Sequence, residues 1–445
     1  MRQTLLTRIE HFFFRPVTTK GFGLLRVSFA LITLLSFLFQ WQDISTYYSD
    51  KGLVPLADIP HFLRTGYRFS LFDFIGDPTA IMWIYYLFIL SLILVMLGIF
   101  TRPALLVSVI LLFSFHERLW AVLAGGDTVL RLLAFILLLS PCHRSFSVWS
   151  LKHRFQRWNE TGKDPVQKIA VMPAWPYLLL MWQMVVLYTA SAWTKMLGSM
   201  WWDGSAISIA LRHPFFSRTP LWFLPVIDHT AFFASHFILI SQLAWVLLLI
   251  LPLVRYSIPR SKQFLDAVPW KLIVILANAL VHLLIAIFMD VGLFSFAMFA
   301  GYVGLLDEID FQWLRRIGKR IVPGTTIVLF DGSCQFCRRS VFLLHTFDWM
   351  HSVSLVDYHE TAKRKKIAPS IPFKKLDEEI HVKDPRGRFT SGFLAFRTLS
   401  WKAPPLWILT PFLYLPGVRP IGERVYAKIA QRRCKGNCDR ETFFR

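Results

Sequence analysis

Charge is scarce in this chain, and acidic charge is scarcer still. Only 17% of the 445 residues are Asp, Glu, Lys or Arg, and 28 Asp+Glu face 49 Lys+Arg, a formal net charge of +21. A soluble domain carries about 25% charge on about 45–50% apolar residues. Here 55% are hydrophobic, which excludes an ordinary soluble core. Internal repeats and low-complexity tracts are lacking. The first apolar run has no small-residue cleavage site behind it, so it reads as retained. Aromatic interleaving is missing from the basic clusters of the C-terminal region, which argues against nucleic acid as a partner. A basic surplus on so apolar a chain instead follows loops on the cytoplasmic side of a membrane.

What is present is a set of long apolar runs, all within the first 306 residues. Segments 80–99 and 231–254 contain no Asp, Glu, Lys or Arg, and each reaches the roughly 20 residues that cross a bilayer. Segments 21–41, 103–115, 128–142, 171–194, 272–289 and 291–306 are weaker. Of these, 103–115 is short enough to be re-entrant. The last two are split only by Asp290 beside Gly292, as in a tight hairpin or one broken segment. Lys and Arg concentrate in 1–20, 143–170, 255–271 and just past 306, which puts those loops inside. The expected fold is thus an α-helical polytopic membrane bundle of about eight spans over 1–310, with N- and C-termini cytoplasmic. A small α/β domain over 321–445 follows it.

That domain opens on a strand-like run at 325–330, then Asp331-Gly332-Ser333-Cys334-Gln335-Phe336-Cys337, a helical stretch at 338–347 and a second strand at 353–358. A third strand is expected at 379–383 before a turn at 384–387, with helices at 393–400, 406–415 and 421–433. Strand, CxxC, helix, strand is a thioredoxin-like order. Residues 307–445 hold 25 Lys+Arg and 14 Asp+Glu, a surplus suited to an anionic lipid surface.

Of five cysteines, Cys142 ends an apolar segment and reads as a packed thiol. Cys334 differs. At a helix start its sulfur meets free N–H groups and the positive end of the dipole, which favours thiolate. Cys337 is placed to resolve a mixed disulfide. The same pair is also half of a four-thiolate zinc site, which Cys434 and Cys438 could complete. Alternatively Cys434 and Cys438 are accessory redox thiols. The Asp331–Cys337 run, with Ser391-Gly392-Phe393, Leu415-Pro416-Gly417 and Tyr426 to Arg433 behind it, resembles the DCC family of thiol-disulfide oxidoreductase-like proteins. The resemblance implies a thioredoxin-like domain with catalytic Cys334 and Cys337, supported by Asp331, served by a cytoplasmic thiol reductant and without a metal.

Ionisable groups in apolar segments cost about 2.5–3.5 kcal/mol on insertion scales and tend to be paired or functional. Arg26 is expected to snorkel to headgroups, and Arg131 to pair with Asp127 at i,i+4. Glu117, Asp127, Arg131, Lys195, Asp203 and Asp290 should gather toward the outer face. Lys195, at the end of the fifth segment, can act as a base or hold an anionic substrate. Lys195 with Trp201 and Gly204, the run from Tyr48 to Pro55, Gly125-Gly126-Asp127 to Phe135, and Asn278 to His282 are similar to the vitamin K-dependent γ-carboxylase membrane domain and its bacterial relatives, the HTTM family. The resemblance implies a multi-pass protein of a bacterial-type inner or cell membrane. In it Lys195 is the base that activates a quinol, supported by Asp127, Arg131, Trp201, Trp202, Asp203 and His282. Where carboxylases carry Asn-His this chain has Gly126-Asp127, so glutamate carboxylation is not implied. The partners expected are membrane lipids and a lipophilic small molecule such as a quinone or quinol.

A different class fits the same residues: a non-enzymatic lipid-binding or transport bundle with a redox-sensing or zinc-binding C-terminal domain. In either case a hydrocarbon core of about 30 Å separates a site near the outer face from a cytoplasmic thiol pair, so two independent sites are expected.

Overall fold

Each of the eight apolar segments is built around a helix in the computed structural model, which describes residues 5–59, 69–161, 170–257, 268–321 and 323–431. The helices are α1 (Lys20–Phe39), α2 (Pro78–Leu97), α3 (Thr101–Arg118), α4 (Gly125–Leu138), α5 (Trp175–Met196), α6 (Leu224–Ser257), α7 (Trp270–Phe288) and α8 (Phe294–Gly304). Among the described residues, four candidate spans are long and apolar enough to cross a membrane: Lys20–Phe39, Pro78–Leu97, Leu221–Leu251 and Trp270–Phe288. The 103–115 stretch lies inside the continuous helix α3. The chain divides into one unit of residues 1–154 and 165–310 and a second of 155–164 and 311–445.

Local chemistry sets the ends of α2. Asp77 caps it, its carboxylate accepting from Ala80 N at 2.8 Å, and Pro78 occupies the first turn, where no donor is needed. Gly98 ends it in the left-handed region at φ +71. A Cβ there would also collide with Ser147.

Two carbonyls at this end, Val95 O and Met96 O, also accept from Arg26. It does not snorkel: it is fully buried, and its guanidinium donates to Val95 O, to Met96 O at 2.8 Å and to Phe146 O at 2.6 Å. Its two terminal nitrogens meet carbonyls at and near the negative end of a helix, which offsets much of the cost of burial, while Nε has no partner among the described residues. Arg118 acts alike at the end of α3. It donates to Tyr48 O, Ser49 O and Val54 O at 3.1, 3.3 and 2.5 Å, fixing the loop after α1.

The core of the first unit is aromatic and aliphatic, with Phe37, Phe88 and Phe115 stacked edge to face. α8 packs against α1, α4 and α7. Its 11 residues rise only about 16 Å, and it is enclosed along Ser295, Ala297, Met298, Ala300 and Gly301. The α7–α8 connection is a tight hairpin. It is held by Asp290 N to Phe216 O at 2.6 Å, Arg218 N to Phe288 O at 2.8 Å and an Arg218–Asp290 ion pair at 2.8 Å. Two short strands, β1 (Pro16–Thr18) and β2 (Val171–Pro173), pair antiparallel, with Val17 opposite Met172.

The second unit holds a four-stranded sheet of β3 (Thr326–Phe330), β4 (Val353–Asp357), β5 (His381–Lys383) and β6 (Phe389–Ser391), in the order β4-β3-β5-β6. β3 and β4 run parallel, joined by α9 (Gln335–Phe347), while β5 and β6 are antiparallel to their neighbours. Val328, Leu329, Val356 and Val382 form its buried layer. Phe155 of the 155–164 stretch packs edge-on to Phe342 of α9 at 5.2 Å. Two helices close the unit, α10 (Gly392–Ser400) and α11 (Val418–Gln431). The helix expected at 406–415 is instead two 3-10 turns, Pro404–Leu406 and Pro411–Tyr414. Pro404, Pro405 and Pro411 lack the N–H donors that a continuous helix needs.

Candidate functional site

The thiol pair sits where β3 turns into α9. Cys334 is the N-cap of α9, and its sulfur accepts from Cys337 N at 3.5 Å, one of the helix's orphan donors. The Cys337 thiol, above all, and the N–H groups of Cys337 and Phe336 hold Cys334 down to about 6. Burial and the charge of Asp331 work in the other direction. Cys334 is 4% exposed, and Cys337 is less enclosed. Neither is in a disulfide.

Asp331 organises the turn. Its Oδ1 accepts from Ser333 N at 2.8 Å, Ser333 Oγ at 2.6 Å and Cys334 N at 3.2 Å, the local pattern that makes Asp a turn residue. Burial opposes its ionisation, but these donors and His359 keep its carboxyl below the usual range. Gly332 is obligatory beside it, because any Cβ would overlap the Asp357 carboxylate, which accepts from Gly332 N at 3.2 Å.

Three residues at the end of β4 complete the site and were not singled out from the sequence. His359 Nε2 lies 3.1 Å from Asp331 Oδ1. Tyr358 is buried and donates to Asp377 Oδ1 at 3.0 Å. Burial, and then the Asp331 charge, push its hydroxyl far up. Asp357 also accepts from His359 N at 3.0 Å. One signal was available: the carboxyl ends of adjacent parallel strands are where sites form in α/β sheets, and Asp357-Tyr358-His359 ends the second strand.

Because the Asp331 charge raises Cys334, Asp331→Asn should make that thiol more acidic while its amide oxygen keeps the turn. The pH profile of Cys334 alkylation then moves to lower pH. An unmoved profile, or one moved to higher pH, would show that the Asp331 charge does not hold Cys334 up. No group of three or more His, Cys, Asp or Glu side chains suited to a metal ion forms among the described residues. Cys434 and Cys438 lie outside the described residues.

In the helical unit each of the expected charges takes its own local partner. Arg131 does not pair with Asp127. Its Nη1 donates to Glu117 Oε1 at 2.7 Å and its Nε to His116 Nδ1 at 3.0 Å. Asp127 turns back to cap its own helix, accepting from Ala124 N at 2.8 Å, and faces His116 Nε2 at 3.8 Å. The first-turn carboxylate prefers the free N–H groups at its helix end, which leaves Arg131 to the neighbouring helix. Lys195 is half-buried at the end of α5. It donates to Ser191 Oγ at 2.5 Å and sits 5.3 Å from the Trp201 ring centroid. It has no carboxylate partner among the described residues. Trp202 donates to Met196 O at 2.7 Å, and Asp203 is exposed and accepts from Ser205. Asp290 belongs to the hairpin described above.

His282 is buried, with Nε2 2.9 Å from the Tyr188 hydroxyl, which also meets Tyr302. Trp245 stacks on Tyr188 at 4.9 Å and 6°. Tyr188, Ser191 and Lys195 share one face of α5 at i, i+3 and i+7, a spacing legible in the sequence.

Residues 328–439 match the family model of the DCC1-like thiol-disulfide oxidoreductases. That match covers the sheet, the thiol turn and α9 to α11, and leaves the helical unit outside it. No curated protein and no solved structure matches the chain.

Proposed function

We propose that this is a membrane-anchored thiol-disulfide oxidoreductase whose Cys334 thiolate is the attacking group. The observation that carries the reading is the Cys334 sulfur at the N-cap of α9, its negative charge met by the Cys337 thiol and the first N–H groups. Cys334 attacks a substrate disulfide and forms a mixed disulfide as one substrate thiolate leaves. Cys337 then attacks Cys334, closing the intramolecular disulfide and releasing the second thiolate. Two electrons pass to the substrate, and a cytoplasmic thiol reductant restores the pair. The strand order β4-β3-β5-β6 with the thiols at the first crossover supports a thioredoxin-like core.

The test is alkylation of the whole protein by iodoacetamide, small enough for a thiol so enclosed, with the labelled peptide identified by mass. Cys334 should react with a half-maximal rate near pH 6, the rate rising as pH rises and flat above about 8, whereas a free thiol titrates near 8.5. A midpoint at 8 or above rejects an activated thiolate.

For the helical unit the reading is a bundle of about eight spans with both termini cytoplasmic, in a bacterial-type inner or cell membrane. It binds a quinol or similar lipophilic molecule near Lys195. There the neutral amine takes a hydroxyl proton, Trp201 covers it, and Ser191 orients it. Its contact with Ser191 and the lack of a carboxylate partner among the described residues support this reading. With dioxygen supplied as the oxidant that takes the quinol's two electrons, Lys195→Met in nanodiscs should slow quinol consumption about 10²–10⁴-fold, the range for losing a general base. Undiminished turnover rejects the role. Recovery of the quinol chemically unchanged from the parent protein favours a lipid-binding or transport bundle instead.

A further inference from the structure

The C-terminal unit presents an apolar edge that its own core does not use. On α11, Gly422 lies against the Phe393 ring and Tyr426 accepts from Ile380 N at 3.0 Å, so this row faces the unit. At 100° per residue, Ile421, Val425 and Ile429 form the next row round, and all three are exposed, Ile421 by 60%. The turn Pro411–Tyr414, which packs against α11, adds Phe412 at 60%, with Ile408 at 80% just before it. Soluble surfaces seldom collect so many large apolar side chains without a partner.

The charges around the edge identify the partner. Arg424 and Lys428 form the row beyond Ile421 and Val425, on the side away from the unit. The helix's single acid, Glu423, lies on the opposite side and is occupied by Arg419 at 2.8 Å. An apolar row bordered by basic side chains with long aliphatic stems is the pattern of a helix lying in a lipid interface. Protein-facing apolar edges are depleted in Lys.

We propose that this face is a lipid-docking surface: Ile408, Phe412 and the Ile421–Val425–Ile429 row enter the headgroup region of an anionic leaflet, and Arg424 and Lys428 bind its phosphates. The inference rests on the reading of the chain as membrane-spanning, which would bring a bilayer within reach of the unit.

Hydrogen exchange on the full chain in nanodiscs tests it. Peptides from 408–431 should exchange about tenfold more slowly in phosphatidylglycerol discs than in phosphatidylcholine discs, as expected for two basic residues near an anionic surface. Molar salt should remove the difference. The double variant Arg424→Glu with Lys428→Glu should also abolish it, while β3 peptides keep their protection and report an intact fold. Equal exchange in both lipids overturns the proposal. So does protection that appears only in discs carrying two copies, which would make the face a protein–protein contact. A chain that never enters discs removes the membrane reading and this inference together, whereas failure of docking alone leaves a well-incorporated chain with unprotected 408–431.

Discussion

Cys334→Ser should lower the rate at which the protein reduces a small aromatic disulfide by at least about a thousandfold, the scale on which losing a nucleophile acts. The hydroxyl can accept the Cys337 N–H as the sulfur does, so the N-cap and the fold survive the change. What disappears is a group that ionises near neutrality. Cys337→Ser should behave differently: Cys334 still attacks, nothing resolves the product, and a stoichiometric mixed disulfide accumulates. The assay follows released thiolate for the first variant and mass of the adduct for the second. A Cys334→Ser protein keeping more than a tenth of the rate would mean that the less enclosed Cys337 is the entering thiol.

Arg26→Leu should destabilise the helical unit by about 3–5 kcal/mol, the cost of stranding buried hydrogen-bond acceptors that a charged donor had satisfied. Leucine fills much of the space but leaves the carbonyls of Met96 and Phe146 without the donor that meets them, and Val95 O with Gly98 N alone. Arg26→Lys should fall between, since an ammonium cannot reach acceptors on two separate segments as a planar fork does. Unfolding midpoints in graded detergent denaturant measure both. A leucine variant as stable as the parent would show that the guanidinium only fills volume.

The residues differ in how far their role was readable in advance. The stretch 325–358 declares itself, because Thr326–Phe330 is β-branched or apolar throughout and the two thiols follow at helix-start spacing. The apolar segments likewise become helices, since length and uncharged composition leave a bilayer-sized run few alternatives. Side chains whose partners lie far along the chain were not readable. Arg26 meets acceptors 69 to 120 residues away, and periodicity is silent about such distances. Arg131 illustrates the same limit: the i,i+4 rule points to Asp127, but tertiary packing offers Glu117, and the local backbone claims Asp127 first. In the thiol site, His359 was missed because it is 25 residues past Cys334 and joins Asp331 only once β4 is laid beside β3.

Arg26 also has a history within each newly made molecule. Its last acceptor, Phe146 O, lies 120 residues downstream, so at 5–20 residues per second roughly 6–24 s of synthesis separate the cation from the group that completes its shell. During that interval α1 carries a positive charge whose acceptors do not yet exist. On the membrane-spanning reading proposed above, it waits at the water boundary until α2 and the chain after α4 arrive. The strand pair β1–β2 closes later still, once residues 171–173 have been made. Helix α1 is therefore among the last to settle, and a ribosome stalled between residues 26 and 146 leaves it exposed to quality control.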